Sequence, residues 1–166
     1  MSQEFNADQV FGIGVEIEKN GKEFYTAAAQ SSAGQSIKTT LEELAKWEDQ
    51  HIAIFSNLRK NLPATAAQDN TYDPNNEITL YLKAAADNHV FIKNKDPRAL
   101  AKVCDTPIEV IGIAMNFEKD SVVFYSAMRN AIPAELGKSD IEKLIDEELK
   151  HIVILTKILG GLKGKQ

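Results

Sequence analysis

Cysteine is almost missing from this chain of 166 residues: Cys104 is the only one. An internal disulfide, a CxxC redox pair and a rubredoxin-type iron centre are therefore excluded within the sequence. A long apolar run is missing too, since no stretch approaches the roughly 18 residues of a membrane span. Basic residues are not in excess. The formal charge is −5 and no cationic patch stands out, which argues against a nonspecific nucleic-acid binder. The opening MSQEFNADQV has no basic segment followed by an apolar one, so no signal peptide is expected and a reducing cytoplasm is the expected location. Sustained period-two alternation is absent, which removes the all-β classes. What remains is ordinary globular composition, 43% hydrophobic and 26% charged, in a length that suits one domain over 1–166 with a sizeable core.

What is present is a unit written twice. Residues 11–58 align without a gap to 111–158 at a constant offset of 100, with 14 identities in 48 positions. IEKNGKEFYTAA at 17–28 answers FEKDSVVFYSAM at 117–128, and LEELAKWEDQHIAIF at 41–55 answers IEKLIDEELKHIVIL at 141–155. Each unit, about 7–61 and about 107–159, reads as two helices. NADQ at 6–9 and TPIE at 106–109 are capping boxes before the first and third helices, the latter with Pro107 at the first helical position. Thr39 with Glu42, and Ser139 with Glu142, suggest matching boxes near the starts of the second and fourth. Gly34, Pro133 and Gly137 mark turns, Pro63 closes the second helix, and Gly160-Gly161 is expected to close the fourth. The expected helices are 7–30, 37–61, 107–131 and 139–159, with KGKQ at the end as a frayed tail. The short turns make each pair antiparallel. Residues 62–105 form a long crossover, with room for helices within 75–91 and 96–104. The fold expected is all-α: a four-helix bundle of two repeated hairpins.

A three-to-four spacing selects the inward seam of each helix. The first reads Phe11, Gly14, Glu18, Gly21, Tyr25, Ala28, and the second Leu41, Leu44, Glu48, His51, Phe55, Leu58. The third reads Ile111, Ala114, Glu118, Ser121, Tyr125, Met128, and the fourth Ile141, Leu144, Glu148, His151, Leu155, Ile158. All four helices thus present a glutamate at one level, and two add a histidine in Glu-x-x-His. Four carboxylates converging in an apolar interior repel and lose hydration. Two divalent cations relieve this, with the imidazoles as neutral ligands on the same helix faces. Oxygen and nitrogen donors without thiolate favour iron or manganese, and ligand type alone also admits zinc. His89 has Ala86 three residues before it, not a glutamate, and is read as structural. Cys104 is read as a small buried residue. Trp47 is expected to point away from the site, in packing or a subunit contact.

From 7 to 160 these residues resemble the ferritin-like di-iron carboxylate proteins, most closely the rubrerythrin-like branch: one Glu from each of two helices, one Glu-x-x-His from each of two others. The resemblance implies two iron ions, with Glu18 and Glu118 as terminal ligands, Glu48 and Glu148 bridging, and His51 and His151 binding one metal each. Tyr25 and Tyr125 stand two turns beyond Glu18 and Glu118, and helical side chains lean toward the N-terminus. The resemblance implies that each phenol hydrogen-bonds a ligand carboxylate. Rubrerythrins proper carry a further glutamate where this chain has Ser121, with Gly21 matching it, so the site is more symmetric, as in the bacterioferritin type. The activity implied is reduction of hydrogen peroxide or dioxygen, with electrons from an external donor such as a rubredoxin-type protein or a reductase. A homodimer is the expected assembly, with no nucleic-acid or membrane partner. Gly14, Gly21, Ala114 and Ser121 are expected to leave room for the small oxidant. A ferritin-type ferroxidase, a di-iron hydroxylase of an organic substrate, manganese catalase chemistry and a non-enzymatic bundle are the rival readings. The short stretch after the fourth helix weighs against the ferritin cage.

Overall fold

Helix α1, Ala7–Ser31, begins where Asn6 accepts from the Gln9 amide at 2.9 Å while the Gln9 side chain accepts from the Asn6 amide at 3.1 Å. That reciprocal pair satisfies two of the donors that a helix start leaves open. The computed structural model describes residues 6–32, 34–64, 80, 82–84 and 96–164. Helix α2 runs Gln35–Lys60, α3 Pro97–Lys102, α4 Pro107–Ala131 and α5 Lys138–Lys163. A 3-10 turn at Ala134–Leu136 joins the last two. Helix α4 repeats the capping logic of α1: Thr106 accepts from the Glu109 amide at 3.3 Å, and Glu109 accepts from the Thr106 and Asp105 amides at 3.0 and 2.8 Å. Those backbone donors hold the Glu109 carboxyl below its ordinary range. Asp96 caps α3 by accepting from the Ala99 amide at 2.9 Å.

Two boundary expectations are corrected. Gly34 and Gly137 are the N-caps of α2 and α5, with no side-chain cap bond, so Thr39, Glu42, Ser139 and Glu142 lie inside helices and form no capping boxes. Gly137 adopts φ 99°, and a Cβ there would stand 2.3 Å from Leu58, so glycine alone turns the chain into α5. Gly160 and Gly161 do not end α5, which runs on through Lys163, followed by a Gly164 amide to Gly160 carbonyl bond at 3.1 Å. Glycine stops a helix when it takes the left-handed conformation, and neither does so. The helix expected within 96–104 is α3. The one expected within 75–91 falls mostly outside the described residues, although Leu80 and residues 82–84 are helical. His89 also lies outside them, as do the last two residues of KGKQ.

The hairpins are antiparallel. Arg59 grips Asp8 with two bonds of 2.9 and 3.0 Å at one end of α1 and α2, and Lys22 meets Asp49 at 2.6 Å further along. These pairs are substantially exposed and contribute at most about 1 kcal/mol each. The core sustains the bundle. Phe11, Ile17, Phe24, Leu41, Leu44 and Phe55 from the first hairpin are sealed from solvent, with Ile111, Phe117, Phe124, Ile141, Leu144 and Leu155 from the second. Each large apolar side chain so buried is worth about 1.5–3 kcal/mol. The buried positions of α1 recur in α4 at an offset of 100, from Val10 and Val110 through Ala28 and Met128. The duplicated sequence is thus a duplicated packing surface. Helix α3 lies against α1, with Pro97 and Ala101 buried and Arg98 reaching Glu23 at 3.3 Å.

No described helix is long and apolar enough to cross a membrane, and no strand occurs among the described residues.

The room expected beside Gly14 and Gly21 is taken. A Cβ on Gly21 would sit 2.4 Å from the Phe117 ring and 3.2 Å from the Glu48 carboxyl carbon, and one on Gly14 would sit 3.0 Å from Phe55. These glycines admit protein rings, not an oxidant. Gly21→Ala should therefore destabilise the metal-free protein by about 1–3 kcal/mol through overpacking. Gly112→Ala, in α4 with nothing within 4 Å of the new methyl, should stabilise it by about 0.5–1 kcal/mol. Thermal melting of the two variants checks the contrast, and an unchanged melting temperature in Gly21→Ala would refute the close packing.

Candidate metal centre

All 24 seam positions expected to face inward are buried or half-buried, and the charged ones are among the most buried. Glu18, Glu48, Glu118, Glu148 and His51 are 0% exposed, and His151 is 3% exposed. They converge because the bundle aligns one level of four helices. Two groups form, Glu18 with Glu48 and His51, and Glu118 with Glu148 and His151. In each, one donor atom per residue lies within 4.8 Å of the others.

Glu148 stands between the two imidazoles. Its Oε1 is 3.0 Å from His51 Nδ1, and its Oε2 is 3.0 Å from His151 Nδ1. Glu18 Oε2 lies 3.4 Å from His51 Nδ1, and Glu118 Oε2 lies 3.6 Å from His151 Nδ1. The imidazole rings are stacked, 5.8 Å between centroids.

Buried polar atoms normally find hydrogen-bond partners. Here six do not: Glu18 Oε2, both oxygens of Glu48, His51 Nδ1, Glu118 Oε2 and Glu148 Oε1. All six belong to the cage, and each is a Lewis base aimed at the others. The shortest approach between two of them is an ion pair, His51 Nδ1 to Glu148 Oε1 at 3.0 Å. Unpaired buried carboxylates are costly, and a set of orphaned oxygen and nitrogen donors within one small space is what a pair of cations would satisfy. The residues therefore fit two metal ions. Their arrangement is symmetric: each group supplies two carboxylates and one imidazole.

The remaining oxygens are held by the tyrosines, in a crossed pattern. Tyr25 of α1 donates to Glu118 Oε1 of α4, and Tyr125 of α4 donates to Glu18 Oε1 of α1. Both phenols are sealed from solvent. Burial, then the carboxylates around them, raises both well above the ordinary tyrosine range, which keeps them protonated as donors. The hydroxyls thus occupy one oxygen of each of these glutamates and leave the other free.

Two neighbours lack any periodic signal in the sequence. Glu147, beside Glu148 on α5, lies with Oε2 3.0 Å from His51 Nε2. Trp47 does not point away from the site as expected: its ring stands edge-on to His151 at 5.8 Å, while 39% of the residue remains exposed. Cys104 is half-buried, its thiol donating to the Leu100 carbonyl at 3.4 Å, remote in role from the cage.

A crystal structure from Thermotoga maritima, provisionally described as a ferritin-like diiron-carboxylate protein, matches this fold with a TM-score of 0.72. The match covers 94% of this chain and 95% of that one at 22% sequence identity. At this identity the likeness establishes architecture: the chain is a ferritin-like helical bundle. No family model and no curated protein sequence matches the chain.

Without a cation the cage holds protons. Burial, then the Glu18 carboxylate, pushes Glu48 well above the ordinary range, and burial, then Glu148, does the same for Glu118. Burial works against the charged imidazoles, but Glu18 and Glu148 outweigh it and raise His51 to about 12. His151 is raised to about 9, because hydrogen bonds to Glu118 and Glu148 outweigh burial. Glu148 is pushed down instead: hydrogen bonds from Glu118 and the two histidines overcome its burial. A cation must displace the protons it replaces. Below about 9 both imidazoles carry a competing proton, so affinity should rise with pH, about tenfold per unit for each proton displaced. Calorimetric titration with cobalt(II) in buffers of different protonation enthalpy should show net proton release. Weaker binding is expected at about pH 6 than at about pH 8, and pH-independent binding would contradict the cage.

Proposed function

We propose that this chain is a di-iron oxidoreductase of the rubrerythrin-like branch, reducing hydrogen peroxide or dioxygen with electrons from an external donor. The observation that carries the reading is the cage of four buried carboxylates and two imidazoles with six orphaned donor atoms. The matched Thermotoga maritima bundle, described as a diiron-carboxylate protein, supports it. Glu18, Glu48 and His51 would hold one iron, Glu118, Glu148 and His151 the other, with Glu48 and Glu148 shared between them. Manganese and zinc also suit these donors. Iron fits the redox reading because a ferrous pair supplies two electrons to an O–O bond.

The chain's own groups serve that chemistry in definite ways. The carboxylates neutralise the cations and adapt as metal charge changes. Tyr25 and Tyr125 hold Glu118 and Glu18 by one oxygen each, which fixes those carboxylates. The buried rings of Phe11, Phe24, Phe55, Phe117 and Phe124 exclude bulk water, which strengthens every electrostatic interaction inside. The electrons come from a separate donor, a rubredoxin-type protein or a reductase, since the single cysteine provides no thiolate iron centre.

Protein purified without oxygen and loaded with ferrous iron should bind two ions per chain, and its ultraviolet–visible spectrum should change rapidly and stoichiometrically on adding peroxide. Glu48→Ala and His51→Ala should each lower iron occupancy and the oxidation rate by at least about tenfold. Unchanged behaviour in both variants would sink the site assignment. A large hollow shell filled with mineral would instead favour a ferroxidase of the ferritin type.

A further inference from the structure

The two halves of the cage share one backbone plan, but the residues that cover their two histidines differ. Residue 47 and residue 147 occupy the same place in the repeat, each directly before the cage glutamate of its helix. Each reaches across to the histidine of the other hairpin. Glu147 meets His51 Nε2 at 3.0 Å, whereas Trp47 lays its ring edge on His151. One imidazole is thus anchored by a carboxylate and the other is covered by an indole.

The inner nitrogens are alike: each faces one oxygen of Glu148 at 3.0 Å. His51 Nδ1 also has Glu18 Oε2 at 3.4 Å, and His151 Nδ1 has Glu118 Oε2 at 3.6 Å. The difference lies on the outer side of the rings, where Glu147 holds His51 Nε2. An imidazole that gives its Nε2 proton to a carboxylate keeps its lone pair on Nδ1, fixed in direction and made more basic. His151 has packing against Trp47 in that place.

From these contacts we infer that the two metal positions are inequivalent. The position on the His51 side fills first and more tightly because Glu147 positions His51, and the position on the His151 side, covered by Trp47, fills second. The inference rests on the six-residue cage holding two metals, and adds to it an order that the duplicated ligands do not imply. Glu147 is a positioning residue, since it acts through His51. Part of its side chain is exposed, at 30%, so its replacement leaves the core packing in place.

Anaerobic titration of the full chain with cobalt(II), followed by visible absorption, tests the order without reference to turnover. The wild-type protein should take up two ions in resolved steps. Glu147→Ala should weaken the first step by about 10–100-fold and leave the second nearly unchanged, while Glu147→Gln, which still accepts from Nε2, recovers part of the loss. Trp47→Glu should tighten the second step and draw the two together, because it gives His151 the anchor that His51 already has. Melting of the metal-free variants verifies that each is folded. Wild-type uptake of two ions with both steps unchanged in Glu147→Ala, or weakened equally, overturns the inference and leaves the cage standing. No cobalt uptake by the wild-type chain overturns both.

Discussion

Four carboxylates at one level of a dry helical bundle are the constraint on which the rest of the structure depends. Desolvating even one ionised carboxylate costs several kcal/mol, and mutual repulsion adds to it. Protons on Glu48, Glu118 and the histidines relieve the charge only in part, since both oxygens of Glu48 remain without partners. The surrounding design limits the damage. Apolar layers above and below supply the burial energy, the tyrosines occupy one oxygen each on Glu18 and Glu118, and Glu148 lies between two imidazoles. A core that tolerates this much unsatisfied polarity is organised around something that satisfies it.

Duplication explains how one chain builds such a cage. A single hairpin contributes two carboxylates and an imidazole to one side, and its antiparallel copy contributes the same set to the other. The tyrosine bonds then cross between copies, Tyr25 to Glu118 and Tyr125 to Glu18, so each hairpin completes the hydrogen bonding of its partner. Close approach at the cage level is set by small residues. Gly21 admits the Phe117 ring beside Glu48, and its counterpart Ser121 is equally buried. Symmetry of the backbone does not extend to every contact: Glu147 and Trp47 give the two histidines chemically different neighbours.

Local signals were legible where the physics is local. The reciprocal bonds of Asn6 with Gln9 and of Thr106 with Glu109 involve residues three apart, so their spacing is sufficient to reveal them. Thr39 and Ser139 carried the same spacing, yet the chain had already turned into a helix at Gly34 and Gly137, where backbone conformation replaces a side-chain cap. Gly160 and Gly161 misled for the converse reason. A glycine permits a helix end but does not impose one, and the contacts of α5 carry it on to Lys163.

The sequence by itself determined the helical hairpins, the repeat and the six residues that share an inward seam, because amphipathic periodicity and a copied motif are properties of the chain's own order. Only the tertiary structure decided which atoms meet: the crossed tyrosines, the rings filling the space beside Gly14 and Gly21, the carboxylate behind His51 and the indole against His151. The hydrogen bonds among those contacts join residues 93 to 107 apart in sequence, and their partners are set by helix rotation and side-chain volume, which no spacing along one helix encodes.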